Sequence, residues 1–86
     1  MKPDEIIHYP LMTESASIMV EKGNKLVFIV NSKAGKADIK RAVEIMYEVK
    51  VKEVNVLITP QGVKKAFVKL APEFLASDIA IKLGIL

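Results

Sequence analysis

Five consecutive apolar residues, Leu26-Val27-Phe28-Ile29-Val30, constrain this chain more than any other feature. A strand with one face in water alternates apolar and polar side chains. This run does not alternate, so both of its faces must be covered. It reads as a central strand over Lys25–Asn31. It is far short of the ~20 apolar residues that a membrane span needs. The chain has 86 residues, the length of one domain over 1–86. A domain of that size hides about 60–65% of its unfolded surface, so its core is modest.

The flanking segments supply the layers. Ile6-Ile7-His8-Tyr9 is a short β-prone run stopped by Pro10. Thr13 can cap a short helix whose apolar face is Ala16, Met19 and Val20, and Gly23-Asn24 tolerate the left-handed backbone that ends one. A helix is expected over Lys36–Glu48, with Gly35 as N-cap and Asp38 in the positive first turn. Ile39, Ala42, Val43 and Met46 form its buried stripe; Lys36, Lys40 and Glu44 form an outer row beside Arg41. Two strands over Val51–Thr59 and Val63–Leu70 flank Thr59-Pro60-Gln61-Gly62, a tight turn with Pro and Gly where a turn wants them. Leu75, Ile79 and Leu83 mark one face of a last short helix that Gly84 stops. The order is β-α-β-α-β-β-α. The strands at 25–31 and 51–59 can run parallel through a right-handed crossover, with 63–70 antiparallel between them. That is an α+β split β-α-β of three to four strands with packed helices, the architecture of ferredoxin-like and RNA-recognition folds.

Charge divides the chain. Residues 22–69 hold eleven basic and four acidic side chains, while the two ends together hold two basic and six acidic. A basic middle between acidic ends suits a polyanion on one side and a different partner on the other; a solvated charged surface is the plainer explanation. Lys64, Lys65 and Lys69 cluster on the last strand, and Lys33, Lys36, Lys40 and Arg41 at the start of the main helix. Lysine acts on phosphate as a point charge and reads little sequence. Of the aromatics, Tyr9, Phe28, Tyr47 and Phe74 read as core, and Phe67 alone as an exposed candidate. A reader of single strands wants two or three exposed aromatics on its sheet, so docking on folded RNA by shape and charge is the expected mode.

Catalytic constellations are poor. His8 is the single histidine and there is no cysteine, so neither a metal site nor a thiol nucleophile is expected. Glu44 and Glu48 sit near Lys40 and Arg41, which should keep them ionised as surface charge. No serine has a base at a recognisable spacing, and the four glycines form no phosphate loop. Gln61-Gly62-Val63 superficially resembles part of the acylphosphatase loop, but Lys64-Lys65 follows where that chemistry needs an arginine. A non-enzymatic protein without cofactor is expected, soluble and cytoplasmic, with no membrane insertion. A small phosphate-ester enzyme and a ligand-binding regulatory module are the rival readings.

Several motifs carry a family resemblance. Pro10-Leu11-Met12-Thr13-Glu14 and Asn24-Lys25-Leu26-Val27-Phe28-Ile29-Val30 resemble the N-terminal signatures of the large-subunit ribosomal protein 23 family. Lys36-Ala37-Asp38-Ile39-Lys40-Arg41-Ala42-Val43, then Val49-Lys50-Val51 and Val54-Asn55, resemble its central motif, and Lys64-Lys65-Ala66-Phe67-Val68-Lys69-Leu70 its C-terminal one. The motifs keep their order over roughly residues 6–84. The resemblance implies a structural constituent of the large ribosomal subunit, bound to large-subunit rRNA beside the polypeptide exit. It also implies two protein partners, large-subunit ribosomal protein 29 and the signal recognition particle. Bacterial-type members carry a long basic loop between the last two strands; Pro60-Gln61-Gly62 here resembles the archaeal and eukaryotic form. Lys36, Lys40, Asn55, Lys64 and Lys65 match positions assigned to rRNA, and Glu14, flanked by Met12 and Thr13, matches the docking acid. Ser15 stands where the family usually has lysine, and Gly35 where Thr or Ser is common. The expected RNA set is therefore Lys33, Lys36, Lys40, Arg41, Lys64, Lys65 and Lys69 on phosphates, with Asn55 and Thr59 adding hydrogen bonds.

Overall fold

The computed structural model describes residues 1–84. Its elements are α1 (Pro3–Ile6), β1 (Ile7–Pro10), α2 (Glu14–Gly23), β2 (Lys25–Val30), α3 (Lys36–Tyr47), β3 (Val51–Ile58), β4 (Lys64–Leu70) and α4 (Ala76–Lys82). The four strands form one antiparallel sheet in the order β1-β2-β4-β3. β4 lies between β2 and β3, as the split β-α-β pattern requires. β1 closes the other side of β2, with an irregularity between Ile7 and Tyr9.

Register and alternation sort the side chains into two faces. The inner face carries Leu26, Phe28 and Val30 of β2, Ala66, Val68 and Leu70 of β4, and Val54 of β3. All four helices contribute to this one core: Ile6 from α1, Val20 from α2, Ile39, Ala42 and Val43 from α3, and Ala76, Ile79 and Ala80 from α4. Phe28 is wholly buried, and its ring stacks on Tyr47 with centroids 5.8 Å apart and planes 13° from parallel. Burial pushes the Tyr47 phenol above its ordinary pKa, because the charged form would lose water. No buried side-chain nitrogen or oxygen among the described residues lacks a hydrogen-bond partner.

The ends of the elements follow local chemistry. The Thr13 hydroxyl accepts from the Ala16 amide at 3.2 Å and starts α2. Asn24 ends α2 in the left-handed region (φ 53°). Its side chain then reaches across the fold. Nδ2 donates to the Phe74 carbonyl at 2.9 Å, and Oδ1 accepts from the Ala76 amide at 2.7 Å. Asn24 therefore caps α4, which lacks a capping side chain of its own because Leu75 holds the N-cap position. At the start of α3 the Gly35 amide donates to Asp38 Oδ2 at 3.0 Å. Glu48 turns left-handed (φ 55°) and stops α3 one residue before the expected end.

Four expectations need correction. Residues 3–6 form a helical turn rather than loop and strand; Pro3 at the first helical position with Asp4 and Glu5 behind it suits that turn. Met46 is 40% exposed and does not share the buried stripe of α3. Leu75 is 55% exposed, and Ala76, Ile79 and Ala80 form the inner face of α4 instead. Alanine lets this helix approach closely, a role that hydrophobic spacing of large residues does not reveal. Tyr9, read as core, is 54% exposed, because the irregularity in β1 places it on the outer face of the sheet.

Candidate nucleic-acid interface

The crossover delivers the end of β2, the loop 31–35, the start of α3, the end of β3 and the start of β4 to one end of the sheet. Val30 pairs with Lys64, which pairs with Ile58. The Lys64 ammonium donates to the Ala34 carbonyl at 2.6 Å and ties the hairpin to the loop before α3. One of its three donors is thereby used and two are left. Lys33 and Lys36 are exposed on the same loop and on the first residue of α3. Lys40 follows one turn further along the helix and is also exposed. A cleft of about 220 Å³ opens at this end between Ser32 on the loop, Gly62 and Val63 on the hairpin, His8 and Lys64. Gly62 holds φ +83° there, a turn conformation that a side chain would strain.

The remaining expected RNA residues are distributed more widely. Lys65 sits at the same end but on the outer face, opposite Ile29 and Leu57. Lys69 shares that face four residues on, about 13 Å along the strand, between Lys25 and Glu53. The structure therefore does not gather Lys69 with the others. Asn55 lies on the outer face beside Phe67, with its amide 3.5 Å from Glu53 Oε1. The Thr59 hydroxyl accepts from the Val63 amide at 3.2 Å and is engaged in the hairpin. Arg41 pairs with Asp38 at 2.8 Å while staying largely exposed. Met12 and Glu14 are exposed beyond the far end of β1, where the Leu11 amide bonds to the Val27 carbonyl. The segment Met12-Thr13-Glu14 follows the opposite end of β1, yet Thr13 lines a cleft of about 170 Å³ on the outer face together with Lys65 and Phe67.

The carboxyl of Asp38 is held below its ordinary value of 3.8, chiefly by the Gly35 amide and secondarily by the Arg41 guanidinium. A depressed native pKa stabilises the fold above the unfolded value, and that contribution disappears as pH falls through the native one. The wild type should therefore outlast Asp38→Asn in urea at neutral pH by a constant margin. The margin should close below pH 3.8. Midpoints of urea unfolding measured across acid pH check this, and a margin that widens in acid would contradict it.

Sequence reasoning missed Tyr9 and Leu57, the two large residues most exposed on the outer face. The hairpin register could have placed Leu57 beside Lys65. Nothing local could have placed Tyr9, whose position depends on how β1 pairs.

A lysine-rich end joined to a sheet face that is only partly covered, with Val27 and Ile29 buried and Tyr9 and Leu57 exposed, is the geometry of a binding module. The family model described as Ribosomal protein L23 matches residues 5–69, and the chain belongs to that family. Its members are structural proteins of the large ribosomal subunit and not an enzyme family. No helix among the described residues is long and apolar enough to cross a membrane.

Proposed function

We propose that this protein binds large-subunit rRNA through its lysine-rich end, close to the polypeptide exit and within cytoplasmic ribosomes. The observation that carries this reading is the convergence of Lys33, Lys36 and Lys64 around the start of α3, with Lys40 one turn along and Lys65 at the same end on the outer face. The helix dipole adds partial positive charge at the same place. Asn55 and Thr59 supply hydrogen bonds from the strand and hairpin, and Arg41 joins when phosphate displaces Asp38 from its guanidinium. Met12, Thr13 and Glu14 are exposed and suit docking of the signal recognition particle, alongside contact with ribosomal protein 29.

If about five phosphates are neutralised, log affinity for rRNA should fall against log salt with a slope of roughly −3.5 to −4.5. The double variant Lys36→Ala/Lys40→Ala should make the slope shallower by about 1.5 and leave stability within about 0.5 kcal/mol. Filter binding over a salt series measures the slope. An unchanged slope in the variant would remove these lysines from the interface.

A further inference from the structure

The helices bury the inner face of the sheet, and the outer face is covered only in part: Leu11, Ala16 and Met19 flank a cleft of about 170 Å³ against Val27, Lys65 and Phe67, and Val27 is buried. Its first row across the strands is Tyr9, Ile29, Lys65 and Leu57. The next holds Val27, Phe67 and Asn55, and the last Lys25, Lys69 and Glu53. Tyr9 is 54% and Leu57 52% exposed, and Phe67 is half-buried. Phe67 therefore lies between Lys65 and Lys69 on one strand face, with the Asn55 amide beside it.

We propose that this outer face takes an unpaired segment of RNA, with bases stacked on Tyr9 and Phe67. The inference rests on the rRNA-binding reading and specifies a second, single-stranded contact within it. Flat aromatic faces bind any base by stacking, and ammonium groups between them hold the connecting phosphates. The centre of a protein-binding patch is depleted of charge, whereas the central strand of this face carries two lysines. Spacing selects an unpaired strand. Tyr9 and Phe67 lie two strands and one register step apart, about 10–12 Å. Neighbouring bases in a helix are about 3.4 Å apart, so an intact stack cannot place adjacent bases on both rings. A splayed loop or bulge can. Glu53 closes one corner of the face to phosphate and directs the strand toward β1.

The test compares a twelve-nucleotide single-stranded RNA with a blunt duplex of the same length, each bound to the full chain. Tyr9→Ala should weaken single-strand binding about tenfold and leave duplex binding unchanged. Tyr9→Phe should restore it. Tyrosine fluorescence should be quenched by the single strand in wild type and not in Tyr9→Ala, which keeps only the half-buried Tyr47. Lys36→Ala/Lys40→Ala should weaken both ligands. Wild-type affinity in Tyr9→Ala, or equal losses for both RNAs, overturns the stacking proposal while leaving the lysine interface standing. Failure of the wild type to bind either RNA overturns both. Tyr9 is the residue to change because it is exposed, so the variant keeps its core.

Discussion

Phe28→Ala should cost about 3–5 kcal/mol of unfolding free energy, the range for truncating a large buried aromatic. Phe28 is fully buried at the middle of the central strand, with Ala66 as its register partner on β4. Alanine on one side of the ring and tightly packed helices on the other leave nothing bulky to collapse into the hole. The Tyr47 ring also loses its stacking partner. Native domains of this length hold only ~4–13 kcal/mol in total, so the variant sits near the edge of folding. Its melting temperature should drop by roughly 12–40 °C. Thermal and urea unfolding of the two proteins measure the difference. A loss below about 1 kcal/mol would mean that the core repacks freely, contrary to the close contacts described. Phe28→Leu keeps apolar bulk and should lose less than half as much.

Asn24→Ala should destabilise by about 2–4 kcal/mol although the residue lies in a connection. Two effects combine. Alanine at φ 53° pays the left-handed steric penalty that asparagine largely avoids. The Phe74 carbonyl and the Ala76 amide lose their partners at 2.9 and 2.7 Å. Asn24→Gly relieves the backbone but not the lost bonds, so it should recover only part of the stability. Hydrogen exchange separates the causes. Both variants should lose protection at the start of α4, whereas a purely local turn defect would leave α4 protected.

These two residues also show what was readable in advance. The unalternating run around Phe28 demanded a strand covered on both sides, and the hairpin turn set the pairing of 51–59 with 63–70. Together they imply the order β2-β4-β3, which is observed. A helix over 36–48 followed from Ile39, Ala42, Val43 and Met46 at helical spacing, one residue longer than the helix observed. Asn24 was legible as a helix stop, because that depends on its own backbone. Its cap on α4 joins residues 52 apart in the chain, and no local pattern encodes such a bond. The candidate interface divides in the same way. Lysines near a strand end and a helix start could be placed together once the crossover was recognised. Lys69 and Tyr9 could not be placed relative to the others without the register of every strand.

The sheet also has two unequal borders. β1 is four residues long, irregular, and ends in Pro10, so little of its outer backbone can recruit another strand. β3 is eight residues long, and only its first turn of chain, near Lys52, is irregular. The opposite stretch ends in Leu57 and Ile58, both more than half exposed. Its free amides and carbonyls form a template for edge-to-edge pairing between copies. A chain with this margin is safest when chaperoned or promptly assembled. Assembly into the large ribosomal subunit would then also guard the chain against self-association.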